Sequence, residues 1–143
     1  MMIAYYSENV RVPKFKRRHM NTWIKAVAQV YGKTIGDVSY IFCDDAKILE
    51  VNKTYLKHNY FTDIITFDNT EHNRLSGDVF ISVDTVRDNA KRFGVSFSEE
   101  LHRVMIHGIL HLCGQNDKTQ EESKQMREKE NMALKLVINF EVC

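Results

Sequence analysis

The sequence predicts an α+β fold: a small mixed β-sheet of about four strands packed with about five helices, with the helix that carries His107 and His111 central. Three observations lead there. Short runs rich in β-branched and aromatic residues alternate with segments of helical period in the order β-α-β-α-β-β-α-α-α. The segment around the two histidines is apolar nearly all round, with Leu101, Val104, Met105 and Leu112 on one stripe and Ile106, Ile109, Leu110 and Cys113 on another, the mark of a buried helix. Finally, 143 residues, 43% of them hydrophobic, suit a single domain over 1–143 with a core of its own.

In chain order, residues 3–6 read as a first strand. The lone proline, Pro13, precedes a helical pattern over 15–31 whose buried stripe is Trp23, Ile24, Val27 and Val30. Gly32 and Gly36 bracket a turn. Residues 38–43, Val-Ser-Tyr-Ile-Phe-Cys, make a buried strand, and Asp44 and Asp45 are placed to cap a helix over 45–56. Strands over 64–67 and 79–83 follow, separated by an irregular stretch at 69–76 that is expected to face substrate. Tyr60 and Phe61 are irregular as well. A helix over 84–93 stops at Gly94, and Ser96 with Glu99 forms a capping box that opens the histidine helix. The last helix spans 119–140, with Met126, Leu134, Val137 and Ile138 inward. On it Glu121, Glu122, Glu128 and Glu130 alternate with Lys124, Arg127 and Lys129 as a solvated face.

Composition excludes several classes. A net charge of +1 gives no global argument for a polyanionic partner, so any such contact must come from local patches. One patch stands out. Arg11, Lys14, Lys16, Arg17, Arg18 and Lys25 occur with no acidic residue among them, which fits either phosphate contact or a solvated helix face. Cys43, Cys113 and Cys143 are odd in number and show no Cys-x-x-Cys spacing, against a disulfide framework or a four-thiolate zinc site and in keeping with a reducing cytoplasm. The N-terminus lacks the pattern of a signal peptide, and no run reaches the ~18 apolar residues of a membrane span. A cytoplasmic monomer without membrane contact is the expected form.

The chemistry concentrates in Ile106-His107-Gly108-Ile109-Leu110-His111-Leu112-Cys113-Gly114-Gln115-Asn116-Asp117. Residues four apart on a helix share a face, so His107 and His111 point into one volume. Gly114 can end the helix in the left-handed conformation, and three further residues reach up to roughly 10 Å, enough to return Asp117 to both imidazoles. Two nitrogens and one oxygen would hold one zinc ion and leave a fourth position open, the arrangement of a catalytic site. On spacing alone, two core histidines bonded to backbone carbonyls remain the alternative. Gly108 stands where a His-Glu-x-x-His peptidase carries its general base, which disfavours peptide hydrolysis, and a glycine inside a helix suggests a close approach there. Arg103, one turn before His107, is a candidate for stabilising charge on phosphorus or a structural partner of Asp117 or a glutamate. Lys57 and Arg74 are further candidates. His19, His58, His72 and His102 fall outside the shared face and read as surface or core residues.

His-Gly-Ile-Leu-His-Leu-Cys-Gly resembles the signature of the YbeY family of bacterial metal-dependent endoribonucleases and rRNA maturation factors, whose pattern is His-Gly-x-Leu-His-Leu-x-Gly-Tyr-Asp-His. Asn52-Lys53-Thr54-Tyr55, Thr62-Asp63-Ile64-Ile65-Thr66-Phe67 and Gly77-Asp78-Val79-Phe80-Ile81-Ser82 are similar to the family's segments in the same order. Asp117 replaces the family's third ligand histidine, and Leu56 stands where the family usually has arginine. Carboxylate is an acceptable zinc ligand. The resemblance implies cleavage of single-stranded RNA, with ribosomal RNA as target and the small ribosomal subunit or assembly factors as partners. In that reading His107, His111 and Arg103 are catalytic, and His107, His111 and Asp117 bind one zinc. An assembly or interaction factor with a structural metal is the alternative, and an exchangeable water on the metal would discriminate between them.

Overall fold

The computed structural model describes residues 2–56 and 62–141, with 138–141 described by backbone alone. Lys57, His58, Tyr60, Phe61 and Cys143, and the inward placement expected of Ile138, lie outside the described residues. The elements are β1 (Met2–Ser7), α1 (Arg17–Val30), β2 (Thr34–Cys43), α2 (Asp45–Leu56), β3 (Ile64–Asp68), β4 (Arg74–Ser82), α3 (Val83–Phe93), α4 (Phe97–Leu112) and α5 (Gln120–Glu141). The sheet has strand order β1-β2-β4-β3, with β1, β2 and β4 parallel and β3 antiparallel to β4. It is the α+β arrangement of a mixed four-stranded sheet with five helices that the sequence predicts.

Alternation along the strands assigns the two faces. Val38, Tyr40 and Phe42 of β2 and Val79 and Ile81 of β4 enter the main core with Trp23, Ile24 and Val27 of α1 and the apolar face of α4. Cys43 and Ile65 meet Ile48 and Val51 of α2 in a smaller cluster, with Phe67 and Phe80 packed on it. Full burial of each such side chain stabilises by about 2 kcal/mol relative to exposure. The large polar aromatics in the core find partners, as buried donors must: Trp23 Nε1–H donates to the Ala133 carbonyl at 2.8 Å and the Tyr40 hydroxyl to the Met105 carbonyl at 2.9 Å. The first bond ties α1 to α5 and the second β2 to α4.

Several boundaries differ from the sequence reading. Gly36 lies within β2, which starts four residues earlier than expected, at a register irregularity between Ile35 and Val38. A Cβ on Gly36 would collide with Ser76 Oγ and the Leu75 carbonyl, so close strand contact, not a turn, selects the glycine. Val83 begins α3 instead of ending β4, because the Ser82 hydroxyl accepts from Thr85 N–H and caps the helix. The stretch 69–76 is not a long loop. Arg74 to Ser76 belong to β4, and a tight turn closed between Glu71 and Arg74 joins it to β3. That turn is absent from the lining of the cavities at His107, as is Arg74.

Candidate metal centre

The histidine helix starts and stops as its sequence requires. Ser96 accepts from Glu99 N–H at 3.0 Å, and Gly114, at φ 100°, ends the helix with its own N–H donating to the His111 carbonyl. Gln115 N–H then donates to the Leu110 carbonyl, which folds the chain back over the last turn. Thr119 and Glu122 exchange side-chain and backbone hydrogen bonds in a complete capping box at the head of α5. The Ser123 hydroxyl of that helix donates to the Asp117 carbonyl at 2.9 Å. Asp117 is therefore held at both ends of its short connection.

The result brings the three predicted ligands together. Asp117 Oδ2 lies 3.2 Å from His107 Nε2 and 3.4 Å from His111 Nε2, and one ligand atom from each residue falls within 4.8 Å of the others. The imidazoles meet edge to face with centroids 4.6 Å apart. Two neutral nitrogens and a carboxylate oxygen, half-buried at one point beside a cleft, are a donor set that zinc accepts with a position left over.

Behind His107 stands a residue that the sequence reading misplaced. Glu130, taken there as part of a solvated face, is only 6% exposed. Its Oε2 accepts from His107 Nδ1–H at 2.6 Å, and its Oε1 accepts from Arg103 Nη1–H at 3.0 Å. Arg103 completes its fork on Asn131 Oδ1 at 2.9 Å. Of the readings open for Arg103, the geometry favours the partner of a glutamate: its guanidinium is engaged behind the histidine instead of lying free beside the metal position. The carboxylate fixes the proton on Nδ1 and leaves Nε2 as the ligand atom, the outer support that metal-bound histidines use. A signal for this was present in the sequence. Glu130 falls four residues after Met126 and three before Ala133, on the buried line of α5.

The electrostatics follow the contacts. Burial alone would pull the His107 imidazole down, but its hydrogen bond to Glu130 and the charges of Glu130, Asp117 and Asp63 outweigh it and leave its pKa raised. His111 is lowered, by burial and then by the charge of His107. Glu130 is lowered: burial works against it, and its bonds to His107 and Arg103 prevail. Asp63, given no role from sequence, is raised by burial despite the nearby His107. Cavities of about 360 Å³ and 680 Å³ both border His107, and Asp63 and Asp117 are the carboxylates common to both.

Gly108 also has its reason. A Cβ there would stand 3.0 Å from Val79 Cγ1 and 3.2 Å from Ile64 Cδ1, so the close approach suggested by the sequence is that of α4 to the sheet. Among the described residues, the remaining histidines are apart from the site. His102 is buried, with Nδ1–H donating to the Ser98 carbonyl at 2.6 Å, and His72 is exposed in the β3–β4 turn.

Fold and site together define a protein in which one buried helix supplies two imidazoles four residues apart and the turn after it returns a carboxylate, a group that could hold one metal ion. Comparison with known proteins narrows the class. The family model described as Endoribonuclease YbeY matches residues 3–137. A protein of Parabacteroides distasonis named Endoribonuclease YbeY is 60% identical over 137 residues, 96% of either chain. One of the same name from Bacteroides thetaiotaomicron is 58% identical over 134 residues, covering 94% of this chain and 98% of the relative. The solution structure of TM1509 from Thermotoga maritima superposes with a TM-score of 0.67 at 26% identity, over 95% of this chain and 89% of that one. The chain belongs to the YbeY endoribonuclease family.

Proposed function

We propose that this protein is a zinc-dependent endoribonuclease that cuts single-stranded RNA and acts on ribosomal RNA in its maturation and quality control. The observation that carries the reading is the convergence of His107 Nε2, His111 Nε2 and Asp117 Oδ2 at the edge of an open cleft. Family membership supports the endonuclease activity, and the relatives' printed name supports RNA as the substrate. Zinc bound by these three residues would supply Lewis acidity, polarising a phosphoryl oxygen and bringing the pKa of water toward about 7. The chain's own residues set the conditions. Glu130 holds the proton on His107 Nδ1, and Arg103, engaged on Glu130, keeps that carboxylate ionised; both are positioning residues. Asp63, the carboxylate outside the ligand set that borders both cavities, is the group placed to hold or move a proton during attack. Lys118 lines the larger cavity beside Asp117 and is a cation placed to meet a phosphate there.

The setting is a monomer in the cytoplasm that works with the small ribosomal subunit or its assembly factors. Cys43 and Cys113 are both free, which suits a reducing compartment, and no helix among the described residues is long and apolar enough to cross a membrane. The test compares wild type with His111→Ala, both checked for folding, on an unstructured RNA and on duplex DNA with zinc present. Wild type should cut the RNA alone and the variant neither. A zinc-loaded wild type that cuts nothing beyond what the variant cuts would leave a ribosome-assembly factor with a structural metal as the reading.

A further inference from the structure

Among the described residues, the metal cleft is poorly charged for a polyanion. The smaller cavity carries Asp63, Glu100, Asp117 and Glu130 against Arg92, Arg103 and Arg127, and both Arg103 and Arg127 face Glu130, at 3.0 and 3.9 Å. The larger one sets Lys118 against Asp63, Asp68 and Asp117. A single-stranded RNA gains most of its affinity from cations that neutralise phosphates, and among the described residues the denser supply of them lies outside the cleft. The run free of acidic residues at 11–25 is the place that offers them. Lys14, Lys16 and Arg18 are exposed and have no ion pair among the described residues, while Arg17 lies over the Tyr5 ring.

Lys14, Lys16 and His19 do more than face solvent. Together with Ser98 and His102 of α4 they line a cavity of about 260 Å³, large enough for a phosphate group and its sugar. Ser98, His102 and Val137 also line a second cavity of about 580 Å³ that follows the α4–α5 seam past Asn131 and Lys135 to Arg103. Arg103 in turn borders the cleft at His107. Concave surface thus continues from the metal centre to the basic cluster. Ser98 precedes His107 by nine residues of one straight helix, about 14 Å along its axis, the span of a few extended nucleotides.

We propose that RNA is held at two points, the scissile phosphate at the metal centre and a more distant phosphate at the cavity lined by Lys14, Lys16 and His19, with the strand lying along the α4–α5 seam between them. The inference rests on the endoribonuclease reading for its ligand, and the second point makes affinity depend on the length of the strand. A dinucleotide, with its one phosphate at the cleft, does not reach it, whereas a dodecanucleotide does.

The experiment measures binding of fluorescent 2-mer and 12-mer RNAs by anisotropy, to wild type, to Lys14→Ala/Lys16→Ala and to a control, Lys91→Ala/Lys124→Ala, that removes two exposed lysines elsewhere. The double variant should bind the 12-mer about tenfold more weakly, with the slope of log K against log salt reduced by about 0.7 for the one lost phosphate contact, while its 2-mer affinity and zinc content stay at the wild-type values. The control should match wild type. Equal losses on both lengths, an unchanged 12-mer, an equal loss in the control, or a wild type that binds the 12-mer no more tightly than the 2-mer would each overturn the proposal. Because binding is read without cleavage, an inactive wild type would count against the endonuclease reading and leave this measurement to decide the second site.

Discussion

Glu130 accepts the Nδ1 proton of His107 at 2.6 Å across 23 positions of sequence, and this bond leaves Nε2 as the nitrogen that faces Asp117. The carboxylate is held in turn by Arg103, so two residues from two helices set the orientation of one imidazole.

Removing that support should be felt in two separate measurements. Glu130→Gln keeps the shape but weakens the charge-assisted bond, and zinc affinity should fall by about 10- to 100-fold with the fold intact, as read by competition with a chelating dye. Glu130→Ala takes a buried acceptor away from both His107 and the half-buried Arg103 and should cost about 2 kcal/mol in urea unfolding. Zinc affinity unchanged in both variants would show that Glu130 does not orient His107.

The same pair gives the metal-free protein a pH signature. Glu130 is depressed below its ordinary value of 4.5, so its contribution is present above about pH 4.5 and is lost as pH falls through the folded value. His107 is raised above 6.5, so its contribution is full below about pH 6.5 and is lost as pH rises through the folded value. The Tm difference between wild type and Glu130→Gln, both without metal, should therefore be largest between about pH 4.5 and 6.5 and shrink on either side. A difference that keeps growing above pH 8 would contradict the assignment. With zinc, the raised His107 also means that the proton competes with the metal up to a higher pH than an ordinary histidine would allow, so affinity should already be falling at pH 6.5.

The element order and the meeting of His107, His111 and Asp117 were legible in the sequence because each rests on local signals. The Ser96–Glu99 cap, the i, i+4 histidines and Gly114 lie within one helix and its termini, and the strand runs are short and β-branched. What escaped is nonlocal. Glu130 reads as one more charge in an alternating run until α5 is packed on α4, where its place in the Met126–Ala133 line turns it inward. Asp63 gains its character only from burial beside His107. The β3–β4 segment was misread because Asn69, Thr70, Asn73 and Ser76 suggest a loop, whereas pairing of Thr34 with Arg74 and Ile35 with Leu75 extends both strands beyond their apolar parts.

Gly108 offers a test of how tightly the site is built against the sheet. Alanine would favour the helix by about 1 kcal/mol on propensity. Its methyl would press on Val79 Cγ1 and Ile64 Cδ1, which are held in neighbouring strands, and overpacking of this kind costs about 1–3 kcal/mol. Gly108→Ala should be net destabilising by about 1 kcal/mol in urea unfolding, with one zinc still bound. A more stable variant would mean that α4 can slide along β3 and β4 without loss.

Asp117 carries the sharpest prediction because it is where this chain departs from the pattern it resembles. Its carboxylate faces both Nε2 atoms, so Asp117→Ala should weaken zinc binding while Asp117→His, which restores a nitrogen ligand on the same turn, should keep one ion per chain by elemental analysis. An aspartate gives the centre one negative charge more than a third neutral imidazole would. Water at the open position then loses its proton less readily, and activity that depends on that ionisation rises at higher pH. The RNA cleavage profile of Asp117→His should accordingly move to lower pH than that of wild type. Full zinc retention in Asp117→Ala together with superposable pH profiles for wild type and Asp117→His would place Asp117 outside the ligand set and reduce the centre to its two histidines.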